Sequence, residues 1–322
     1  MHRIARHSCL SHRTASILFT STAHTTMSSV EIFSTTSATP AGGLLHRCKH
    51  QSTSTKTDMI FAIFLPSCYQ SAEKKDPFPT IYWLSGLTCT DENFTKKAGP
   101  QAFAAAEEQG VCLVVPDTSP RGDDIPSDDA YDLGMGAGFY INATNSPWNV
   151  NYHMESYIAT ELPALVESKF GVGTAGRRSL TGHSMGGHGA LTLALKAPPG
   201  SWVSVSAFSP ICHPTACPWG IKALTNYFGS VEAGKEHDAT LLLEQPGKAA
   251  MFDDILIDEG TDDEFGRAGQ LLLSDFEEAA ARVGQKLTVR RQEGYDHSYN
   301  FISTFIADHV VFHAEKMRKV QA

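Results

Sequence analysis

The stretch Gly182-His183-Ser184-Met185-Gly186 leaves this chain few folds to choose from. It reads Gly-x-Ser-x-Gly. Arg178-Ser179-Leu180 before it has the character of a strand end, and Gly189–Leu195 after it is small and apolar, as a buried helix is. A serine between strand and helix is forced onto a sharp, strained turn that exposes its hydroxyl. Gly182 and Gly186 stand two residues to either side, where missing side chains let strand and helix approach. The N-terminus of the following helix then lies under the serine and favours developing negative charge.

The rest of the chain alternates in the way this turn requires. Strand signals are Met59–Leu65, Thr80–Leu84, Val111–Val115, Trp202–Phe208, Ile255–Ile257 and Leu287–Arg290. Val111–Val115 is continuously apolar, as a strand covered on both faces is. Helical stretches fall at Phe103–Gln109, Tyr152–Phe170, Ile221–Phe228, Ala268–Val283 and Ser298–Lys319, the second with apolar residues near helical spacing. Strands alternating with helices predict an α/β fold: a mostly parallel central sheet with helices on both faces. With no internal repeat and no mid-chain linker, residues 31–322 are expected to form one domain behind an extension, residues 1–30. Up to Ser54 the chain is polar and is expected to be loop-rich or weakly stranded. Asp117–Pro147 is rich in Gly, Asp and Pro, and so long a loop in a compact domain is usually functional or a surface excursion.

A serine hydroxyl needs a general base and a group that holds that base in the right tautomer. On an α/β-hydrolase sheet these follow in the order Ser, acid, His, each after a later strand. Asp258–Glu264 follows the Ile255–Ile257 strand, and Gly294-Tyr295-Asp296-His297-Ser298 follows the last strand. The candidate triad is therefore Ser184, Asp263 or Asp262, and His297. Asp296 adjoins the base, but neighbouring side chains in an extended turn point apart. The oxyanion hole needs backbone N–H donors. The N–H of Met185, just after the nucleophile, is one candidate, and that of Leu87 in Leu84-Ser85-Gly86-Leu87-Thr88-Cys89 is the other, with Gly86 permitting close backbone approach. Cys89 beside this loop is expected to line the acyl pocket and to confer sensitivity to thiol reagents. His309 and His313 lie four apart, but no Glu follows His309 as a zinc-protease motif would require, so they read as surface or core histidines. Cys212, His213 and Cys217 lack a completing ligand pair. No metal and no cofactor is expected.

The formal net charge of −9 argues against nucleic acid or an anionic membrane as partner, since both need a basic face. No apolar run reaches the roughly 18 residues that span a bilayer. Seven scattered cysteines fit a reduced intracellular compartment better than a disulfide framework. Residues 1–30 carry Arg3, Arg6 and Arg13, four histidines and no acid. That composition fits either a mitochondrial transit peptide or a disordered extension ahead of a start at Met27, so the compartment is expected to be cytoplasmic or, alternatively, mitochondrial.

Several separate stretches, in order, resemble one family. They are Tyr82–Thr90 (YWLSGLTCT), Pro116–Gly122 (PDTSPRG), Gly136–Tyr140 (GAGFY), Gly182–Ala190 (GHSMGGHGA), Cys217–Gly220 (CPWG) and Gly294–Tyr299 (GYDHSY). Together they are similar to the S-formylglutathione hydrolases, also called esterase D, from about residue 30 to the C-terminus. The resemblance implies a cofactor-free serine mechanism on an α/β-hydrolase fold, with formate and glutathione as products and small carboxylic esters as further substrates. It implies Ser184 and His297 as nucleophile and base, and it selects Asp263, the second Asp of Gly-x-Asp-Asp, as the orienting acid. It also makes Gly86, Cys89 and Trp219 candidates for the substrate pocket and a homodimer possible. Arg121 and Lys222 are candidate partners for the glutathione carboxylates. A general short-chain carboxylesterase, or a non-catalytic binding protein on the same fold, are the competing readings.

Overall fold

A computed structural model of the chain describes residues 29–71, 77–248 and 250–320. Among them nine strands form one sheet: β1 (Glu31–Ser37), β2 (Leu44–Gln51), β3 (Asp58–Leu65), β4 (Thr80–Leu84), β5 (Cys112–Pro116), β6 (Arg178–His183), β7 (Val205–Phe208), β8 (Ile255–Gly260) and β9 (Leu287–Gln292). Their spatial order is β1-β2-β3-β5-β4-β6-β7-β8-β9. The first three strands and the β3–β5 pair are antiparallel. From β5 to β9 every neighbouring pair is parallel. The predicted mostly parallel sheet is thus present, with an antiparallel edge.

Every residue of β4 and β5 is buried, as strands covered on both faces must be. Their side chains alternate between two cores. Tyr82, Leu84 and Val114 join the layer containing helices Leu162–Phe170, Met185–Lys196 and Leu273–Val283. Ile81, Trp83 and Leu113 join the opposite layer, with helices Gly99–Gln109 and Tyr299–Lys319. Trp83 stacks on Phe94 there, ring centroids 4.2 Å apart. The chain runs from β4 out to β5 and returns to β6 on the other side of β4. That reversal opens a crevice at the carboxyl ends of β4 and β6, where parallel α/β sheets bind ligands.

Several local expectations need correction. Residues 31–51, expected to be loop-rich or weakly stranded, form the paired strands β1 and β2. They lie at the open end of the sheet, where β1 is largely solvated, so no apolar alternation marks it. The predicted helix Tyr152–Phe170 is present from Met154 to Phe170 as one run of helical backbone, widened by one turn at Tyr157–Glu161. Pro163 has no N–H to add to the ladder, and the widened turn just before it absorbs that missing bond without breaking the helix. The predicted helix Ala268–Val283 begins only at Leu273, because Leu272 sits at φ 51°. The predicted strand Trp202–Phe208 begins at Val205. Asp117–Pro147 is a long excursion, as expected. Of the expected extension, residues 1–28 lie outside the described residues.

His309 and His313 prove to be core residues, both fully buried. Serines partner three of their four ring nitrogens: His309 Nδ1 and His313 Nε2 each lie 2.8 Å from Ser206 Oγ, and His313 Nδ1 lies 2.8 Å from Ser204 Oγ, while His309 Nε2 faces Asp258 Oδ2 at 3.7 Å. Among the described residues no group of three or more His, Cys, Asp or Glu could hold a metal ion.

Candidate active site

Ser184 follows β6 directly and adopts φ 58°, ψ −119°, a region that side chains other than glycine enter only under constraint. The constraint is visible. Ser184 N–H donates to Phe208 O (2.9 Å), while Ser184 O accepts from His188 N–H (3.0 Å) and Ile211 N–H (3.3 Å). A Cβ on Gly182 would overlap the backbone of Gly186, and one on Gly186 would overlap that of Leu84. Both glycines are needed for strand β6 and helix Met185–Lys196 to meet at this spacing.

Asp263 lies three residues beyond β8 and caps the short helix Glu264–Arg267. Its Oδ1 accepts from Phe265 N–H (2.9 Å) and Gly266 N–H (3.1 Å). The other oxygen, Oδ2, lies 2.6 Å from His297 Nδ1. Burial pushes the Asp263 carboxyl up, but the hydrogen bond and charge of His297 and the backbone donors outweigh it and hold it below its ordinary value. Asp262, the other candidate, turns outward to Arg267, and Asp296 accepts from Ser298 N–H instead (3.0 Å). The two loops are stitched together. Thr261 N–H donates to Gln292 O (3.0 Å), Asp262 N–H to Tyr295 O (2.9 Å), and Gly294 N–H to Thr261 Oγ1 (2.9 Å). Gly260 lies so close to Tyr295 that a Cβ would overlap its carbonyl.

The loop after β4 lies against the serine. A Cβ on Gly86 would stand 3.1 Å from Ser184 Cβ. Met185 N–H is the first free donor of its helix, and among the described residues Leu87 N–H has no backbone acceptor. The excursion after β5 holds this loop in place. Thr88, at φ 67°, donates to Gly136 O (2.9 Å), and Cys89 O accepts from Thr118 Oγ1 (2.5 Å) and Arg121 Nη2 (3.0 Å). Tyr140 OH donates to Ser85 O (2.8 Å).

Ser184, His297, Gly86, Leu87, Cys89 and Trp219 all line one cavity of about 300 Å3. Trp219 stands against Phe265 (4.7 Å between ring centroids), and Phe265 meets the His297 ring edge-on (4.8 Å). A larger cavity of about 440 Å3 lies behind Asp263 but reaches neither Ser184 nor His297. The arrangement can activate a hydroxyl and hold an anionic oxygen beside it, which is the chemistry of acyl transfer.

Comparison with known proteins agrees with this geometry. Residues 52–312 match the family described as putative esterase. The S-formylglutathione hydrolase of Rattus norvegicus is 50% identical over 276 residues, covering 85% of this chain and 94% of the relative. The chain belongs to the S-formylglutathione hydrolase family. The solved S-formylglutathione hydrolase of Agrobacterium tumefaciens superposes with a TM-score of 0.82 at 42% identity, covering 89% of this chain and 99% of that one. A ferulic acid esterase shares the fold at 16% identity, with a TM-score of 0.66 over 85% of this chain and 98% of its own.

In this esterase two sequence expectations fail. Arg121 does not face the cavity as a free cation: its guanidinium binds Asp117 through Nε (2.9 Å to Oδ2) and supports Cys89 O. Lys222 is paired with Asp132 at 2.5 Å. Both charges are spent on holding loops. Conversely, sequence reasoning missed Asn93, Lys97, Tyr131, Phe265 and Tyr299 as lining residues. Tyr299 belonged to the Gly294–Tyr299 motif and could have been found there. The others carry no local signal.

His183 was also missed as a cavity residue. Its buried ring lies 4.3 Å from that of His297. Burial holds it well below its ordinary pKa, with the neighbouring His297 adding to the shift. The ring beside His297 is therefore one whose neutral form is favoured, and the charged group at His297 is the Asp263 carboxylate.

Proposed function

We propose that this chain hydrolyses S-formylglutathione to formate and glutathione by a two-step acyl transfer. Ser184 Oγ attacks the formyl carbon while His297 takes its proton. Asp263 holds the imidazole in the tautomer with the proton on Nδ1 and stabilises the imidazolium. The N–H groups of Leu87 and Met185 receive the oxyanion. Collapse of the tetrahedral intermediate breaks the C–S bond, and His297 returns the proton to the departing sulfur. Water then attacks the formyl-enzyme by the same route with the roles reversed.

The observation that carries this reading is the Asp263–His297 contact of 2.6 Å beside a serine held at φ 58°. The substrate is carried over from relatives at 50% and 42% identity. Formyl is the smallest acyl group, so the acyl side, formed by Gly86 and Cys89, is read as tight. Small carboxylic esters are expected to react by the same route. A homodimer and a cytoplasmic location belong to the same reading. Strand β1 leaves one edge of the sheet unpaired among the described residues, and such an edge is where a second copy could add. Among the described residues no helix is long and apolar enough to cross a membrane.

The test is the kcat/KM of the purified protein for S-formylglutathione, S-acetylglutathione and a p-nitrophenyl ester, with Ser184→Ala as control. The formyl thioester should be preferred by far, and Ser184→Ala should abolish turnover of all three. Equal or better turnover of the plain ester would make this a general esterase, and an active Ser184→Ala would refute the nucleophile.

A further inference from the structure

Lys97 and Asn93 share one face of helix Asp91–Lys97, four residues apart. Both reach the cavity that contains Ser184. Among the residues lining that cavity Lys97 is the one Lys or Arg, and no Asp or Glu is present. Its neighbour Lys96 is engaged with Glu92 at 2.7 Å. Lys97 has no carboxylate partner among the described residues and rests its ammonium 5.2 Å from the centre of the Tyr299 ring. This cation–π contact fixes the position of the charge without neutralising it. Asn93 is fixed as well. Its Oδ1 accepts from Thr90 N–H (2.9 Å) in the helix cap, which leaves the Nδ2 donor unused.

A protein of net charge −9 thus keeps at this cavity a cation with no carboxylate partner among the described residues, an amide donor one turn away, and no other Lys, Arg, Asp or Glu in the lining. We propose that Lys97 Nζ, with Asn93 Nδ2, binds a carboxylate of the glutathionyl moiety and so selects a peptide thioester over a neutral ester. The assignment rests on the function proposed above and names the specificity contact that Arg121 and Lys222 do not supply.

The experiment pairs the substrate's charge with the residue. Kinetics are measured on S-formylglutathione and on its diamide, in which both carboxylates are neutral. In the unmodified protein the diamide should have a KM about five-fold higher, the upper range for an exposed ion pair, with the change falling on KM more than on kcat. In Lys97→Met the two substrates should have KM values within about two-fold of each other, since the partner of the carboxylate is gone. In Lys97→Glu the order should invert, the charged substrate becoming the poorer. A Lys97→Met protein that still separates the two substrates by the original factor would overturn the assignment, as would an unmodified protein that does not separate them. An unmodified protein that does not turn over S-formylglutathione would refute the underlying function instead, and that result is read from the first assay alone.

Discussion

Replacing Asp263 by Asn separates the orienting role of this residue from its structural one. Asp263 has two duties on two oxygens: Oδ1 accepts from Phe265 N–H and Gly266 N–H, and Oδ2 faces His297 Nδ1 at 2.6 Å. An Asn must place its carbonyl oxygen on the two amide donors, because its NH2 cannot accept from them. The NH2 then faces His297 Nδ1, which must present a lone pair, and the imidazole proton moves to Nε2. The base is lost although no ring has moved. A wrong tautomer of this kind costs kcat on the order of 10^4, or about 5 kcal/mol of barrier. The fold should survive, because Asn caps a helix about as well as Asp; a loss of about 1 kcal/mol lowers Tm by roughly 2–4 °C. The assay is p-nitrophenyl acetate hydrolysis beside a thermal melt, with Asp262→Asn as the comparison. Asp262 is exposed and bonded to Arg267, so its variant should stay within about two-fold of the parent. A well-folded Asp263→Asn protein with kcat reduced less than ten-fold would refute the orienting role, and a large loss in Asp262→Asn would show that the wrong carboxylate had been chosen.

Three further outcomes follow from the same geometry. Gly260→Ala sets a methyl against Tyr295 O and should push the acid and histidine loops apart; a displacement near 1 Å costs kcat about 10^2, and unchanged ester kinetics would show that the loops can slide. Cys89 lines the cavity, and burial pushes its thiol above the ordinary 9.0 despite the Tyr299 contact; alkylation by iodoacetamide, followed by peptide mass mapping, should therefore still be accelerating above pH 9.0, and activity should fall in step with labelling. His188 is fully buried in the elbow helix, and burial lowers its pKa from 6.5 to about 4. Because the folded value lies below the unfolded one, this contribution to stability is complete above pH 6.5 and is lost as the pH falls towards 4. Between pH 6.5 and 5 it should cost about 2 kcal/mol, and urea midpoints should fall less steeply with acid in His188→Asn; identical slopes would place the acid sensitivity elsewhere.

The elements around the serine were legible because several constraints coincide on few residues. Strands β4 and β5 are apolar at every position or nearly so, since both faces are covered, and the chain order Ser, acid, His follows from the order of β6, β8 and β9. The choice between Asp262 and Asp263 was not legible from the residues themselves. Adjacent side chains in a turn diverge, and only the capping of Glu264–Arg267 decides which one points inward. Strands β1 and β2 read only as loop-rich or weakly stranded for the opposite reason: β1 is solvated along nearly its whole length and β2 is fully buried at few positions, so neither imposes an apolar period. Charged residues misled most. Arg121 stands in a motif beside the site and looks like a ligand for anions, yet Asp117, four residues earlier, takes the charge. Lys97 sits in an unremarkable helix and is the cation that faces the cavity. Sequence reports which charges exist; pairing decides which remain available.

That distinction gives the long excursion after β5 a physical role. An oxyanion hole helps only if its donors need not move when charge appears. The Gly86–Cys89 loop has little internal structure of its own beyond the Cys89 N–H to Gly86 O bond of 3.3 Å. Its rigidity comes from outside: Gly136 O takes Thr88 N–H, Thr118 Oγ1 and Arg121 both bind Cys89 O, and Tyr140 OH binds Ser85 O. A Cβ on Gly136 would press on Thr88 Cα at 3.0 Å, and one on Gly189 would overlap the Tyr140 ring, so the excursion is wedged between the donor loop and the elbow helix. The motifs Pro116–Gly122 and Gly136–Tyr140 therefore brace the loop that carries Leu87 N–H, the donor proposed above to receive the oxyanion together with Met185 N–H. Loosening them should lower kcat with little change in KM, because pre-organised donors act on the transition state more than on the bound ester.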